Sequence, residues 1–250
     1  MKSSQEALEK RGYACREQRE CLKGRSKEEL YALLHGDVAS MRTAATYHLS
    51  PLDEEDVVHL LQQWTKEKCL YTKLAIAEML EQGNKMTALQ MGTYLGKIGK
   101  NQYKEIPQKV SAKKSYPLPR DLIARSLGRM NLCVLPVLME VLESKEVSRI
   151  SEVLDAIGFM IFYHPEEAVL KNAQAILKVA KEYRENKMIV WKCLICLSAF
   201  SLQEVRAFLL TYVHCDGLLG EEARRSLYLI ETRSKSKKAC TIQKPIIINN

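Results

Sequence analysis

Apolar residues along this chain recur at three- and four-residue steps, the period of a helix with one buried side. The clearest instance follows Asp37: a basic Arg42, a small Ala45, then Leu49. Ala45 and Leu49 lie four apart on one face, and small residues there let a second helix approach within about 8–10 Å. The same order returns at Lys73 with Ile76, Ala77 and Leu80, and at Arg120 with Ile123, Ala124 and Leu127. It returns again at Arg149 with Glu152, Val153, Ala156 and Ile157, and at Lys192 with Ile195, Cys196, Ala199 and Phe200. A weaker copy runs from Glu222 through Arg225 and Ser226 to Leu229. Successive copies are 31, 47, 29, 43 and 30 residues apart. Helical hairpin repeats have periods of about 34 to 47 residues, so the short separations predict compact repeats.

A partner helix is predicted before each copy. Its apolar positions are Leu30-Leu33-Leu34, Val57-Val58-Leu60-Leu61, Ala88-Met91-Tyr94-Leu95-Ile98, Leu135-Leu138-Met139-Leu142, Ala173-Ile176-Leu177-Ala180 and Val205-Phe208-Leu209-Tyr212. No stretch alternates with period two, so no sheet is expected. The pattern predicts an all-α chain of about six helical hairpins over residues 26–232. Residues 1–25 read as one charged N-terminal capping helix over the first repeat. Ser26 with Glu29 fits a capping box, and Asp53 fits an N-cap. An irregular loop, 101–119, contains Pro107, Pro117 and Pro119 and explains the longest separation. Residues 166–185 read as one long helix and 220–231 as the last one. Residues 233–250 read as a basic, disordered tail ending in Ile246-Ile247-Ile248.

Asp37, Met41-Arg42, Ala45 and Leu49 together resemble a HEAT repeat of the short bacterial type. The likeness covers most of Ser26 to Thr232 and is crispest in the first copy. It implies a right-handed α–α superhelix of the HEAT or armadillo kind, whose inner helices line a concave side. In that family the aspartate opens the second helix and the arginine helps form a ladder between repeats. Here the later aspartate positions hold Lys68, Ser115, Ser144 and Lys187, so the resemblance implies such a ladder for the first copy only.

Charge adds a second layer. The net charge is +8, and its distribution is uneven. Residues 1–27 hold eight basic and four acidic side chains, 97–120 hold seven and one, and 233–250 hold five and none. The rest of the helical body is therefore net acidic. Two basic features are candidate binding sites for anionic partners. One is the set Arg42, Lys73, Arg120, Arg149 and Lys192, which repeat spacing would align as a stripe on the concave side. The other is the loop group Lys104, Lys109, Lys113 and Lys114.

Catalytic signatures are sparse. The chain carries no nucleophile elbow, Gly-rich phosphate loop or His-Glu-x-x-His, and its five histidines are dispersed. Cys193-x-x-Cys196 has half the spacing of a zinc site but lies in an apolar helical run without a second pair, so core packing is expected and no metal or cofactor is assigned. No apolar run reaches the about 18 residues that span a bilayer. The eight cysteines and the polar N-terminus point to a reducing, cytoplasmic setting. The expected function is a non-enzymatic scaffold that holds a protein or peptide on its concave face. The alternative is nucleic-acid binding. The resemblance extends this to alkylpurine DNA glycosylases of HEAT-like fold, for which Trp64, Trp191 and Tyr47 supply aromatics but no catalytic residue can be placed.

Overall fold

The computed structural model describes residues 4–242, excluding the side chains of 234–242. Within that range the chain is helical throughout, with fourteen α-helices, two short 3-10 helices and no strand. No described helix is long and apolar enough to cross a membrane. The chain divides into two compact units, Met1–Asn101 with Asp121–Leu138, and Gln102–Arg120 with Met139–Asn250.

The first unit holds α1 (Gln5–Lys10), α2 (Arg16–Glu20), α3 (Lys27–Leu34), α4 (Ala39–His48), α5 (Glu54–Lys66), α6 (Leu70–Glu81), α7 (Lys85–Gly92) and α8 (Leu122–Leu127). Each hairpin packs on itself, α3 on α4, α5 on α6 and α7 on α8. Alternate helices also pack, α4 on α6 and α6 on α8 along one layer, α3 on α5 and α5 on α7 along the other. The small–large pattern fills the seams: Ala45, Leu49, Ile76, Leu80, Ala124 and Leu127 are all buried. Caps fall where the polar residues stand. The Ser26 side chain accepts from the Glu29 N–H, and the Glu29 carboxylate accepts from the Ser26 N–H at 3.0 Å. Asp53 and Asp56 make the same reciprocal pair at the head of α5.

The N-terminal segment is two short helices rather than one. The chain breaks at Gly12, whose φ of 92° favours glycine, and a Cβ there would meet the side chains of Thr72 and Thr43. That break lets α1 and α2 both pack on α4.

Next in sequence is α9 (Leu135–Val141), within which the division between the units falls. The second unit continues with α10 (Val147–Tyr163), α11 (Leu170–Glu182), α12 (Lys187–Leu197), α13 (Gln203–Tyr212) and α14 (Leu218–Ile242). Here α10 packs on α12 and α12 on α14, with α11 against α12 and α13 against α14. Helix α11 starts at Leu170, later than expected, because Pro165–Glu167 forms a separate 3-10 turn. Helix α14 runs past Glu231 to Ile242, so the first part of the expected disordered tail is helical. Arg233 helps hold it, with its guanidinium donating to the carbonyls of Phe162, Ser198 and Ala199. The isoleucine run 246–248 lies outside the described residues.

Candidate partner-binding surface

The segment 102–120 has neither helix nor strand, as its prolines predict, but it does not project as a free loop. Its apolar side lies on α10, α12 and α14. Tyr103, Ile106, Val110 and Tyr116 join Trp191, Ile195 and Leu218 in one cluster. Tyr116 is 3% exposed, with ring centroids of Phe159 and Phe162 at 6.3 and 5.5 Å, and burial pushes its phenol well above the usual range. Tyr103 meets Trp191 edge-on at 4.9 Å. The backbone is gripped from below by Arg225, which donates to the carbonyls of Ser111, Lys113 and Ser115 at 2.8, 3.1 and 3.2 Å. Glu222 orients that guanidinium from 2.9 Å and also accepts from the Trp191 indole at 3.2 Å. Burial lifts the Glu222 carboxyl, and Arg225 and Trp191 draw it part of the way back.

Gly158 is the floor beneath Tyr116. A Cβ built there lands on the Tyr116 hydroxyl and ring, so Gly158→Ala must push the segment off α10. We expect a cost of about 1–3 kcal/mol, the usual range for overpacking. Urea denaturation checks it. In a chain that already carries Tyr116→Ala, the same glycine substitution should cost much less, because the ring it collides with is gone.

Anchored this way, the segment displays Lys104, Lys109, Lys113 and Lys114 outward, and all four are exposed. No carboxylate of the described residues forms an ion pair with any of them. Beside Lys104 runs an open groove of about 750 Å³, in which Lys104, Glu105 and Ile106 face Glu185, Lys187 and Met188.

The five residues of the expected stripe meet different fates. Arg42 is committed within its own unit. Its Nε and Nη2 bond Glu67 at 2.8 and 2.9 Å, and its Nη1 bonds the carbonyls of Gly36 and Asp37. The arginine thus takes the main chain of Asp37, and its link to the next hairpin goes to Glu67. Burial works to raise the Glu67 carboxyl, but Arg42, the Cys69 N–H and the Gln63 amide together hold it down to about 2. Lys73 is half-buried on α6. Arg149 lies 3.3 Å from Glu146 at the start of α10. Arg120 precedes α8 rather than lying on it, and its guanidinium sits 4.4 Å above the Tyr103 ring.

Lys192 is fully buried in α12. Its ammonium bonds Asp155, lies 3.6 Å from Glu152 and stands 5.5 Å from the Tyr103 ring. Burial pulls that ammonium down, and the two carboxylates more than reverse the effect. Burial lifts the Asp155 carboxyl above its ordinary range, and Lys192 draws it only part of the way back. The structure therefore brings two of the five, Arg120 and Lys192, to a single ring, and gives neither Lys192 nor Arg42 to an open surface.

Trp64 and Trp191 are likewise buried, at 3% and 4% exposure, and Tyr47 is tied to Glu78. Cys193 and Cys196 are buried thiols in the core of α12, and burial pushes both upward. Two of the five histidines, His35 and His59, meet in the first unit. His35 and His59 are 2.9 Å apart, Gln63 holds the far side of His35, and Tyr31 stacks on His59 at 3.8 Å. Burial lowers His35 below the ordinary histidine range. The residues that pattern reading missed are Tyr103, Tyr116, Gly158, Glu222 and Arg225, whose meeting depends on a turnless segment crossing three helices. No known family model, characterised protein or solved structure matches the chain.

Proposed function

We propose that the chain is a non-enzymatic helical-repeat scaffold of HEAT-like type, and that its second unit binds a protein or peptide partner rich in carboxylates. The observation that carries this reading is the lysine group Lys104, Lys109, Lys113 and Lys114, exposed on a segment whose opposite side rests on Tyr116 and Arg225. A surface already ordered before binding spares the partner much of the entropy cost of ordering it. Ile106 and Met188 add an apolar foothold beside the lysines, while Glu105 and Glu185 repel a continuous phosphate backbone. Those two acids favour a polypeptide with discrete carboxylates over nucleic acid. The basic stripe carries no part of the proposal, since Lys192 is enclosed and Arg42 is spent on Glu67.

The test is a fluorescence titration of the full chain with an acidic peptide and with generic duplex DNA, each at low and physiological salt. The peptide should bind, weaken as salt rises, and lose about tenfold in affinity when all four lysines become alanine, as four modest surface charge contacts predict. Tighter binding of DNA, with a salt slope that the same variant reduces, would replace this reading by nucleic-acid binding. Failure of both ligands at low salt would remove it.

A further inference from the structure

We infer that segment 102–120 is a releasable strap, and that the face it covers on α10, α12 and α14 is a binding site for an extended peptide with an aromatic residue, filled here by the chain's own segment. The inference concerns the underside of the strap and stands apart from the lysine surface on its outer side.

The attachments are ones that another peptide could make. Arg225 reads three main-chain carbonyls, which every residue type offers. One side chain, Tyr116, enters a slot between Phe159 and Phe162 over Gly158. Its hydroxyl is buried without a hydrogen-bond partner, whereas a buried tyrosine hydroxyl usually finds one. The slot therefore fits a bare aromatic ring better than the tyrosine that occupies it. Between Tyr103 and Leu118 no hydrogen bond from main chain to main chain, among the described residues, ties the strap to a helix. Between Tyr103 and Leu118, release breaks side-chain contacts and leaves the helices' own ladders intact.

A competing segment with phenylalanine or tyrosine at the slot would meet the same contacts when the strap lifts: main-chain carbonyls for Arg225 and a ring between Phe159 and Phe162.

Two measurements on the full chain decide the matter. The first is trypsin cleavage after Lys104, Lys109, Lys113 and Lys114 in low urea. A releasable strap is cut at a rate that does not follow global unfolding, Arg225→Met raises that rate at least about tenfold and Tyr116→Phe slows it. The second is fluorescence anisotropy of a labelled synthetic peptide of residues 102–120. It should bind the full chain saturably, bind Tyr116→Ala more tightly because that strap no longer fills the slot while the face is unchanged, and lose at least about tenfold when its own tyrosine at the slot is replaced by alanine. Cleavage that tracks global unfolding overturns the release, and absence of saturable binding, or binding indifferent to the alanine peptide, overturns the site. If Arg225→Met does not fold, the wild-type cleavage rate and the two peptides decide alone.

Discussion

Replacing Lys192 by methionine should cost about 3–5 kcal/mol of stability at neutral pH, the range for removing one partner of a buried ion pair. Methionine keeps most of the volume, so the loss is electrostatic rather than a cavity. It leaves Asp155 and Glu152 enclosed on α10 without their cation. Burial already lifts the Asp155 carboxyl with the ammonium in place, and removing the ammonium lifts it further. A carboxyl raised in the folded state contributes stability that is fully present below its unfolded pKa and is lost as pH rises through its folded one. The deficit of the variant relative to wild type should therefore be largest at neutral pH and shrink as the solution is acidified. Urea denaturation of both proteins at pH 7 and pH 5 measures it. Adding Asp155→Leu and Glu152→Leu to Lys192→Met should restore much of the loss, because an apolar trio of similar volume has no buried charge to satisfy. A deficit below about 1 kcal/mol at pH 7, or one that grows on acidification, would contradict the buried pair.

That pair shows which parts of the molecule were legible in the sequence. The helices were, because each buries one side and repeats an apolar step: Ala45 with Leu49, and Ala156 with Ile157, fall in the core as the period requires. The caps at Ser26 and Asp53 were legible because a short polar side chain satisfies the first free N–H groups wherever a helix starts. Two of the basic positions, Arg42 and Lys192, are enclosed where a stripe would expose them, because spacing alone does not tell exposure. Lys192 stands within Met188-Ile189-Val190-Trp191 and Cys193-Leu194-Ile195-Cys196, and a cation in such a run must be enclosed and paired. Glu152 and Asp155, three apart within an equally apolar α10, are the matching signal. Arg120 fails as a helix position for another reason: Asp121 caps α8, so Arg120 must lie before it.

The strap was half legible. Its prolines announced the absence of helix, and its lysines announced an exposed side. What pattern could not supply was the inner side: Tyr103, Ile106 and Val110 step by three and four as a helix would, yet Pro107 and the later prolines keep the segment out of a helix, and Tyr116 falls outside that step. They find their places because α10, α12 and α14 present a ready face, with Gly158 leaving room for one ring and Arg225 waiting for three carbonyls. Long-range matches of this sort, more than a hundred residues apart between Ser111 and Arg225, are set by the completed fold.

The second large effect lies in the first unit. Arg42→Met should destabilise by about 3–5 kcal/mol, because Glu67 has a fully buried side chain and would lose both guanidinium bonds at once. The carboxyl here is shifted in the opposite sense to Asp155, although both variants' deficits shrink on acidification. The Glu67 carboxyl is held down to about 2 from an ordinary value near 4.5. A carboxyl depressed on folding contributes stability present above its unfolded pKa and lost as pH falls through its folded one. A depression of this size corresponds to about 3 kcal/mol. Wild type should lose that much between about pH 4.5 and pH 2, and Glu67→Gln should lose markedly less, so the two curves converge at the acid end. An exposed pair would behave otherwise, costing less than about 1 kcal/mol and fading in salt at every pH. Convergence on acidification with little response to salt would mark Arg42 as a bracket joining the α3–α4 turn to the end of α5, its guanidinium committed to the fold.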